Sequence, residues 1–364
     1  MPAKPHQTSS MQALPRPHGN AKGRRPRVIL FIEENGGLWH AGRLAEALED
    51  SGAAVTTATL KSCAFDTNSK TGLSIPGFDD ELPDGAFVRS ISTGTLEQIT
   101  FRLGILHALS ASGVRVWNDA RVIERCVDKS TATFLFKRHG LPVPQTQTCE
   151  RPDLAQTFLQ NHTPLVSKPL FGSQGNGVIK INEQVGLPAP ETLGHVYYLQ
   201  RYIPPVENGS NQVFADWRVF VSAGRSLAAM TRKGKSWITN VHQGATPEPI
   251  ALNSEMASLA VGAASAVGAD YAGVDLIKAP DGRLLVLEIN SNPAWKGLQS
   301  VTGVDIGTKL AQDFLEAVKR HNQKRTPFHH ASLPSPATSL GPSKESNRTK
   351  TPLTPGAQRA KLVK

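Results

Sequence analysis

Apolar residues run unbroken through positions 28–32, as in a strand buried on both faces. They then recur at Leu38, Ala41, Leu44, Ala45 and Leu48, the spacing of one helix face, as far as Gly52. Strand-like runs follow at 53–60, at Phe87 and Val88, and at 114–117, with a helix expected over about 95–110. This alternation predicts an α/β domain with a mostly parallel sheet over residues 27–118. Beyond it the pattern changes. Residues 119–139 read as one or two helices, Pro142 and Pro144 interrupt them, and another helix is expected over 152–161. Short strand-like runs then succeed one another at 165–169, 178–181, 196–202, 217–221 and 227–232, which predicts an α+β domain with an antiparallel sheet. A helix over about 255–267, a hairpin and a last helix over about 305–321 complete this second domain, 119–321. No internal repeat is visible.

The hairpin carries the most informative polar pattern. Leu284 to Leu287 are apolar, and Glu288, Ile289 and Asn290 then alternate before Ser291, Asn292 and Pro293. Side chains two apart on a strand share a face. Glu288 and Asn290 are therefore expected on one side, and Leu287 and Ile289 in a core. Asp275 lies in the preceding run, 272–277, and Pro280-Asp281-Gly282 is a turn signal between the two. A two-residue Asp281-Gly282 loop would set Asp275 opposite Glu288; a three-residue loop with a bulge would shift that register by one. Two carboxylates and an amide oxygen on one sheet face make an all-oxygen site suited to Mg²⁺ or Mn²⁺. A plain solvated hairpin face is the alternative.

Lys168 ends another apolar run, and Gly172-Ser173-Gln174-Gly175-Asn176-Gly177 follows it. Glycines let a backbone fold closely over an anion and present N–H groups to it. The stretch lacks the Lys-Ser/Thr of a P-loop and precedes a strand rather than a helix, so it reads as a hairpin over phosphates. Taken singly, these features are an exposed lysine and a tight turn; with the cation site downstream they point to phosphate binding. Arg218 and Arg232 lie in strands with apolar neighbours and need anionic partners, either phosphate or carboxylate ligands or a structural ion pair. Asn240 and His242 are expected on one strand face. Gly36-Gly37, after the first strand, either approaches a ligand or forms a tight turn.

Composition sets the surroundings of this chemistry. A chain of 364 residues with 39% apolar content is long enough for two or three domains. It has no apolar run of about 18 residues, hence no expected membrane span, and no apolar stretch after its first basic residues to read as a secretory signal. Cys63, Cys126 and Cys149 are odd in number and widely spaced, which fits neither a disulfide framework nor a zinc site and favours a cytoplasmic setting. The net charge of +10 would ordinarily raise nucleic-acid binding. Its placement argues against a basic groove. Residues 1–27 carry six Lys/Arg and no acid, and 321–364 carry eight with one acid, Glu345, which leaves the middle at −3. The ends, 1–26 and 322–364, are rich in Pro, Ser, Thr, Lys and Arg and are expected to be disordered basic tails.

In order along the chain stand Val127-Asp128-Lys129-Ser130, Gly140-Leu141-Pro142-Val143-Pro144, Lys168 with its glycine loop, and Leu199-Gln200-Arg201-Tyr202-Ile203. Asp216-Trp217-Arg218, Thr231-Arg232, Thr239-Asn240, Gly273-Val274-Asp275 and Glu288-Ile289-Asn290-Ser291-Asn292-Pro293 follow. This ordered series resembles the ATP-grasp superfamily, and within it the RimK-like α-L-glutamate ligases, over about residues 119–321. The resemblance implies an ATP-grasp fold, two lobes with ATP between them, preceded by an α/β pre-ATP-grasp domain. It implies ATP-dependent joining of a carboxylate to an amine through an acyl phosphate. By the same resemblance Lys129 and Lys168 would contact ATP phosphates, and the loop with Gly172, Ser173, Gln174, Gly175 and Gly177 would close over them. Backbone near Arg201 and Tyr202 would meet adenine, Asp216 the ribose, and Asn240 would lie near the metals. Asp275, Glu288 and Asn290 would hold two Mg²⁺ ions, and Arg218 and Arg232 would face the transferred phosphate and the acyl group. L-Glutamate or a similar amino acid and a carboxylate acceptor are the implied partners. The first domain, with Glu33-Glu34-Asn35-Gly36-Gly37-Leu38-Trp39-His40, is more similar to the branch that adds glutamate to tetrahydromethanopterin-type pterins than to the ribosomal-protein modifier. Departures are Arg201 in place of the usual glutamate, Ile238, Gln243, and a longer 204–215; they bear on acceptor specificity more than on ATP chemistry. The competing readings are a ribosomal-protein or peptide ligase of the same chemistry and a nucleotide-binding regulatory protein with basic tails. A homo-oligomer is compatible with each.

Overall fold

The computed structural model describes residues 24–33, 38–172, 175–208 and 211–324. Most of the two basic tails, Gly36, Gly37, Ser173 and Gln174 lie outside the described residues. The chain begins with β1 (Arg27–Phe31), α1 (Leu38–Asp50), β2 (Ala54–Ala58), a small hairpin of β3 (Ala64–Phe65) and β4 (Leu73–Ser74), β5 (Gly85–Val88), α2 (Leu96–Ala111) and β6 (Arg115–Trp117). The order β2-β1-β5-β6 is parallel throughout, as the β/α alternation predicts. Arg24, inside the expected tail, pairs with Asp84 at 3.1 Å.

Two helices follow, α3 (Ala120–Val127) and α4 (Lys129–Arg138), separated by Asp128. The Asp128 carboxylate accepts from the Ser130 and Thr131 N–H groups and thereby caps α4. That cap makes Lys129 the first residue of the helix. Next come β7 (Thr146–Cys149), α5 (Pro152–His162), β8 (Leu165–Lys168), β9 (Ile179–Ile181) and β10 (Tyr197–Arg201), in the antiparallel order β7-β10-β8-β9. The remainder is β11 (Val206–Asn208), β12 (Asn211–Ser222), β13 (Arg225–Gly234), β14 (Thr246–Pro249), α6 (Ser254–Val267), β15 (Tyr271–Lys278), β16 (Leu284–Asn290), α7 (Lys296–Gln299) and α8 (Ile306–Lys324). Its strands run antiparallel in the order β14-β13-β12-β15-β16, with β11 beside β12. The single antiparallel sheet expected from sequence is thus two sheets, with the cleft described below between them. In this second domain the strands that the sequence pattern does not announce, β7, β11 and β14, are short and rich in polar residues or proline. Helix α8 runs three residues into the expected C-terminal tail.

One core joins the parallel sheet to the last sheet. Val28, Leu30, Phe87 and Trp117 pack with Phe220, Tyr271, Trp295 and Phe314. Its polar fastening is Asn118, whose amide donates to the Tyr271 and Ser291 carbonyls at 2.8 Å each. A second core, under α6, contains Val219, Val274, Val286 and Ile289. Among the described residues no helix is long and apolar enough to cross a membrane.

The hairpin of β15 and β16 reaches the expected pairing by an unexpected route. Its turn has three residues, closed by the Ala279 N–H to the Arg283 carbonyl and the Gly282 N–H to the Ala279 carbonyl, each 2.9 Å. Lys278, Ile277 and Leu276 pair with Leu284, Leu285 and Val286, a register that alone would oppose Asp275 to Leu287. A bulge at Leu287 adds one residue to β16, and Asp275 pairs with Glu288 after all. Leu287 consequently lines the same cleft as Glu288. The expectation that it lies in the core is wrong, because the bulge interrupts the alternation on which it rested. A second correction concerns 240–243. Val241–Gln243 is a short 3-10 turn ended by Gly244, so Asn240 and His242 do not share a strand face.

Candidate active site

The β7-β10-β8-β9 sheet and the six-stranded sheet face each other across a cleft of about 860 Å³, counting its open mouth. Lys129, Lys168, Gly172, Gly175, Arg201, Tyr202, Asp216, Arg232, Asn240, Asp275 and Glu288 line it. Of the other candidate residues that are described, Arg218, Gly177 and Asn290 stand outside the lining. Ile203 and Ile238, noted in the sequence, are part of apolar walls that sequence reading otherwise missed: Val166, Val178, Trp237, Ile277 and Leu287. An apolar strand residue facing a cleft looks the same in sequence as one facing a core.

Lys168 is buried at the end of β8, and its Nζ donates to Gln200 Oε1 at 2.7 Å. Gln200 is itself held, donating through Nε2 to Thr146 Oγ1 at 3.1 Å and Tyr198 OH at 3.2 Å. The Lys168 ammonium touches no carboxylate among the described residues. Burial pulls its pKa down to about 8; Glu288 opposes that pull and Lys129 adds to it. Lys129 donates to the Leu170 and Gly172 carbonyls at 3.2 and 2.9 Å, fixing the root of the glycine loop, and burial lowers its pKa as well.

Strands β8 and β9 pair antiparallel, so the glycine stretch is a hairpin connection, as expected. Gly175 has φ +75°, and a Cβ there would lie 2.7 Å from Asn240 Oδ1, 2.8 Å from Gln243 Nε2 and 2.9 Å from Ile238 Cγ2. Gly175 thus rests on the 238–243 segment, and only glycine supplies both the space and the backbone angle there.

Deeper in the cleft runs a line of alternating charges. Thr239 Oγ1 donates to Asp216 Oδ2 at 2.6 Å. Arg232 grips both Asp216 oxygens at 2.6 and 2.5 Å and reaches Asp275 at 3.0 Å. Arg218 grips Asp275 at 2.5 and 2.8 Å. The register explains the order, since Asp216 pairs with Arg232 and Arg218 with Asp275 across neighbouring strands. The anionic partners of both arginines are therefore the chain's own carboxylates. Burial would raise the Asp275 pKa, but Arg218 and Arg232 outweigh it and hold the carboxyl below its ordinary value. For Asp216 burial prevails over the pull of Arg232, and the carboxyl is raised.

Glu288 differs from these acids. Among the described residues it makes no direct ion pair, and it faces the charges of Lys129 and Lys168. Two residues on, the Asn290 amide has a buried Nδ2 with no partner. Amide nitrogen and oxygen exchange by a half-turn, so this group has an oxygen to offer. Asp275 accepts three contacts from arginines and retains about one lone-pair direction. The donor set fits a hard cation, with Glu288 and Asn290 as free oxygens and Asp275 as a shared one. Among the described residues no group of three His, Cys, Asp or Glu side chains is placed to hold a metal without such help.

A sequence profile for the RimK-like ATP-grasp domain matches residues 126–314. The tetrahydromethanopterin:α-L-glutamate ligase of Methanococcus maripaludis is 33% identical over 242 residues, which cover 65% of this chain and 80% of that one. A probable α-L-glutamate ligase of Alkalilimnicola ehrlichii is 31% identical over 314 residues, covering 82% of this chain and 98% of that one. Among solved structures, the ATP-grasp ligase PsnB complexed with minimal precursor, Mg and ADP aligns with a TM-score of 0.61 at 19% identity, over 81% of this chain and 98% of the other. That likeness shows an ATP-grasp fold. By its own sequence the chain belongs to the RimK-like ATP-grasp family, and it is an ATP-dependent ligase that forms carbon–nitrogen bonds.

Proposed function

We propose that the cleft binds ATP with Mg²⁺ or Mn²⁺, and that the enzyme adds L-glutamate, or a similar amino acid, to the carboxylate of a small acceptor of the pterin-cofactor kind. The observation that carries this reading is the pair of half-buried and buried lysines, free of carboxylate partners, beneath a glycine loop and opposite Glu288. Fixed cations without carboxylate partners call for a mobile anion, and a triphosphate supplies it. Val166, Ile277 and Leu287 offer apolar surface for a base. The N–H groups of Arg201 and Tyr202 are already bound to the Gln145 and Pro164 carbonyls, whereas that of Ile203 has no partner among the described residues. Ile203 is thus the donor of this turn left to meet adenine. Residues 27–118 are the acceptor-side domain in this reading, and 119–321 carry the two ATP lobes.

The substrate carboxylate oxygen would bond to the γ-phosphorus as the bond to ADP breaks, giving an acyl phosphate. The amine would then attack the acyl carbon, phosphate would leave, and the amine would lose a proton. Two ions held by Glu288, Asn290 and shared Asp275 would offset charge on the transferring group. Lys168 and Lys129 orient the phosphates, and the closed loop excludes water from the acyl phosphate. A screen with ATP, Mg²⁺ and L-glutamate against pterin and peptide acceptors, read by mass spectrometry, tests this directly. The expected result is a gain of one glutamyl residue on a pterin-type acceptor. Gain on peptides alone would replace the acceptor class, and no ADP formation with any acceptor would sink the reading.

Lys168 also gives the reaction a pH signature. Its free ammonium loses a proton near pH 8, and phosphates favour the charged form. ATP binding above pH 8 must then take up a proton. The affinity is expected to fall by about tenfold per pH unit there, and to be flat below. Titration of nucleotide between pH 7 and 9.5 checks this; Lys168→Met should bind weakly with no such slope. A flat wild-type profile would remove Lys168 from the phosphate site.

A further inference from the structure

Arg89 is a buried cation that the chemistry above leaves unused. It directly follows β5, at the carboxyl edge of the parallel sheet, where open α/β sheets place ligands. It is 7% exposed. Its Nη1 donates to the Asn292 carbonyl at 3.1 Å, and its guanidinium lies 5.0 Å above the Trp295 ring. Its Nε is buried with no partner, and Nη2 makes no hydrogen bond among the described residues. Tyr271 is a neutral phenol whose OH donates to the Val88 carbonyl, and the Glu33 carboxylate, which acts on Arg89 through its charge, forms no ion pair or hydrogen bond with it. The Nε–Nη2 edge is therefore buried without a hydrogen-bond partner among the described residues, and it is the edge that takes both oxygens of a carboxylate.

A second observation lies on the segment that Arg89 holds. The Asn292 side chain has a buried Oδ1 without a partner, and either end of that amide can be presented by a half-turn. A further cation, Lys296, follows on the same segment, and the His40 beside it is neutral. Lys296 is exposed and lies 6.0 Å from the Trp39 ring centre. His40 accepts the Trp295 and Lys296 N–H groups through Nε2, at 3.0 and 3.1 Å, so its Nδ1 carries the proton. This segment also passes beside Arg218, which holds the cleft residue Asp275. A Cβ on Gly273 would lie 2.8 Å from Pro293 and 3.0 Å from Arg218 Cδ, so Arg218 packs where the 290–293 segment passes.

We propose that Arg89 and Asn292 form a subsite for a non-reacting carboxylate of a substrate, one bound beside the Asn290 end of the metal hairpin. The proposal rests on the ligase reading above. The carboxylate belongs either to the acceptor or to the amino acid, and the test separates them. Protein loaded with a non-hydrolysable ATP analogue and Mg²⁺ is titrated calorimetrically with glutarate, which has no amine, and with L-glutamate. The wild type is expected to bind at least one of them, and Arg89→Met to weaken that binding tenfold or more, with Arg89→Lys intermediate. Loss confined to glutarate assigns the subsite to the acceptor; loss confined to L-glutamate assigns it to the amino acid. If Arg89→Met does not fold, Arg89→Lys carries the test, since it keeps the charge but not the fork. Binding of neither anion to the wild type, or wild-type affinity in the folded variants, overturns the subsite. Failure of the ligase reading would show separately, as absence of nucleotide binding in the loading step.

Discussion

Glu288→Gln is expected to lower turnover by about three orders of magnitude, roughly 4 kcal/mol of transition-state stabilisation, and to leave the fold intact. The substitution keeps the volume and removes one charge. Glu288 is the acid of the cleft that no arginine neutralises, so its charge is available to a cation. No ion pair breaks when it is lost, which is why stability should hold. A secondary effect falls on Lys168, whose pKa Glu288 supports; without it the lysine titrates lower still. ADP formation at saturating Mg²⁺, with circular dichroism as the control for folding, checks the expectation. A rate near that of the wild type would take Glu288 out of the metal site.

The largest loss of stability is expected from Arg232→Met. Arg232 is 4% exposed and shares its guanidinium between Asp216 and Asp275. Removing it leaves Asp216 buried with only the Thr239 hydroxyl, while Asp275 keeps Arg218. Breaking a buried pair from one side costs about 3–5 kcal/mol. The deficit should depend on pH in a definite direction. Once Arg232 is gone, burial sets the Asp216 pKa well above that of the unfolded chain, about 3.9. Such a group destabilises the fold as pH rises past the unfolded value, and costs nothing once both states are protonated. Urea unfolding of wild type and variant at pH 7 and near pH 4 should therefore show a deficit that shrinks at the lower pH. Adding Asp216→Asn should restore part of it at pH 7. A deficit below about 1 kcal/mol at pH 7 would mean that the charge line is no more than a surface-type pairing.

These two residues also mark how far sequence alone could be read. Asp275, Glu288 and Asn290 could be assigned to one hairpin because a turn signal between two strand-like runs is a local pattern, but the bulge that sets Asp275 opposite Glu288 has no local signal. The hairpin that carries the glycines was legible because strand-like runs stand on both sides of it. The charge line was not, although Arg218 and Arg232, in strands with apolar neighbours, need anionic partners. Counting back from the tight turn at Ala223-Gly224 would set Thr231, not Arg232, opposite Asp216. Val221 pairs with Ser226 but Phe220 with Ala228, because Leu227 is an extra residue in β13. Such irregularities follow from tertiary packing and twist, which local composition does not encode. Arg89 was silent for another reason: an arginine after a short strand is ordinary until its burial and its missing partner are known.

Strands β13 and β16 each hold one residue more than their pairing needs, Leu227 and Leu287. Loss of a residue inside a strand ordinarily inverts every side chain beyond it, sending the inner face outward. Here the opposite holds. Without Leu287, Val286 would still face Leu276 and Glu288 would still face Asp275; without Leu227, Ser226 and Ala228 would keep Val221 and Phe220. Both hairpins thus contain a position where the chain can shorten by one residue with its charged groups undisturbed. At Leu287 the residue forfeited is a wall of the cleft, so a deletion there would alter the fit of a base and spare the ligands of a cation.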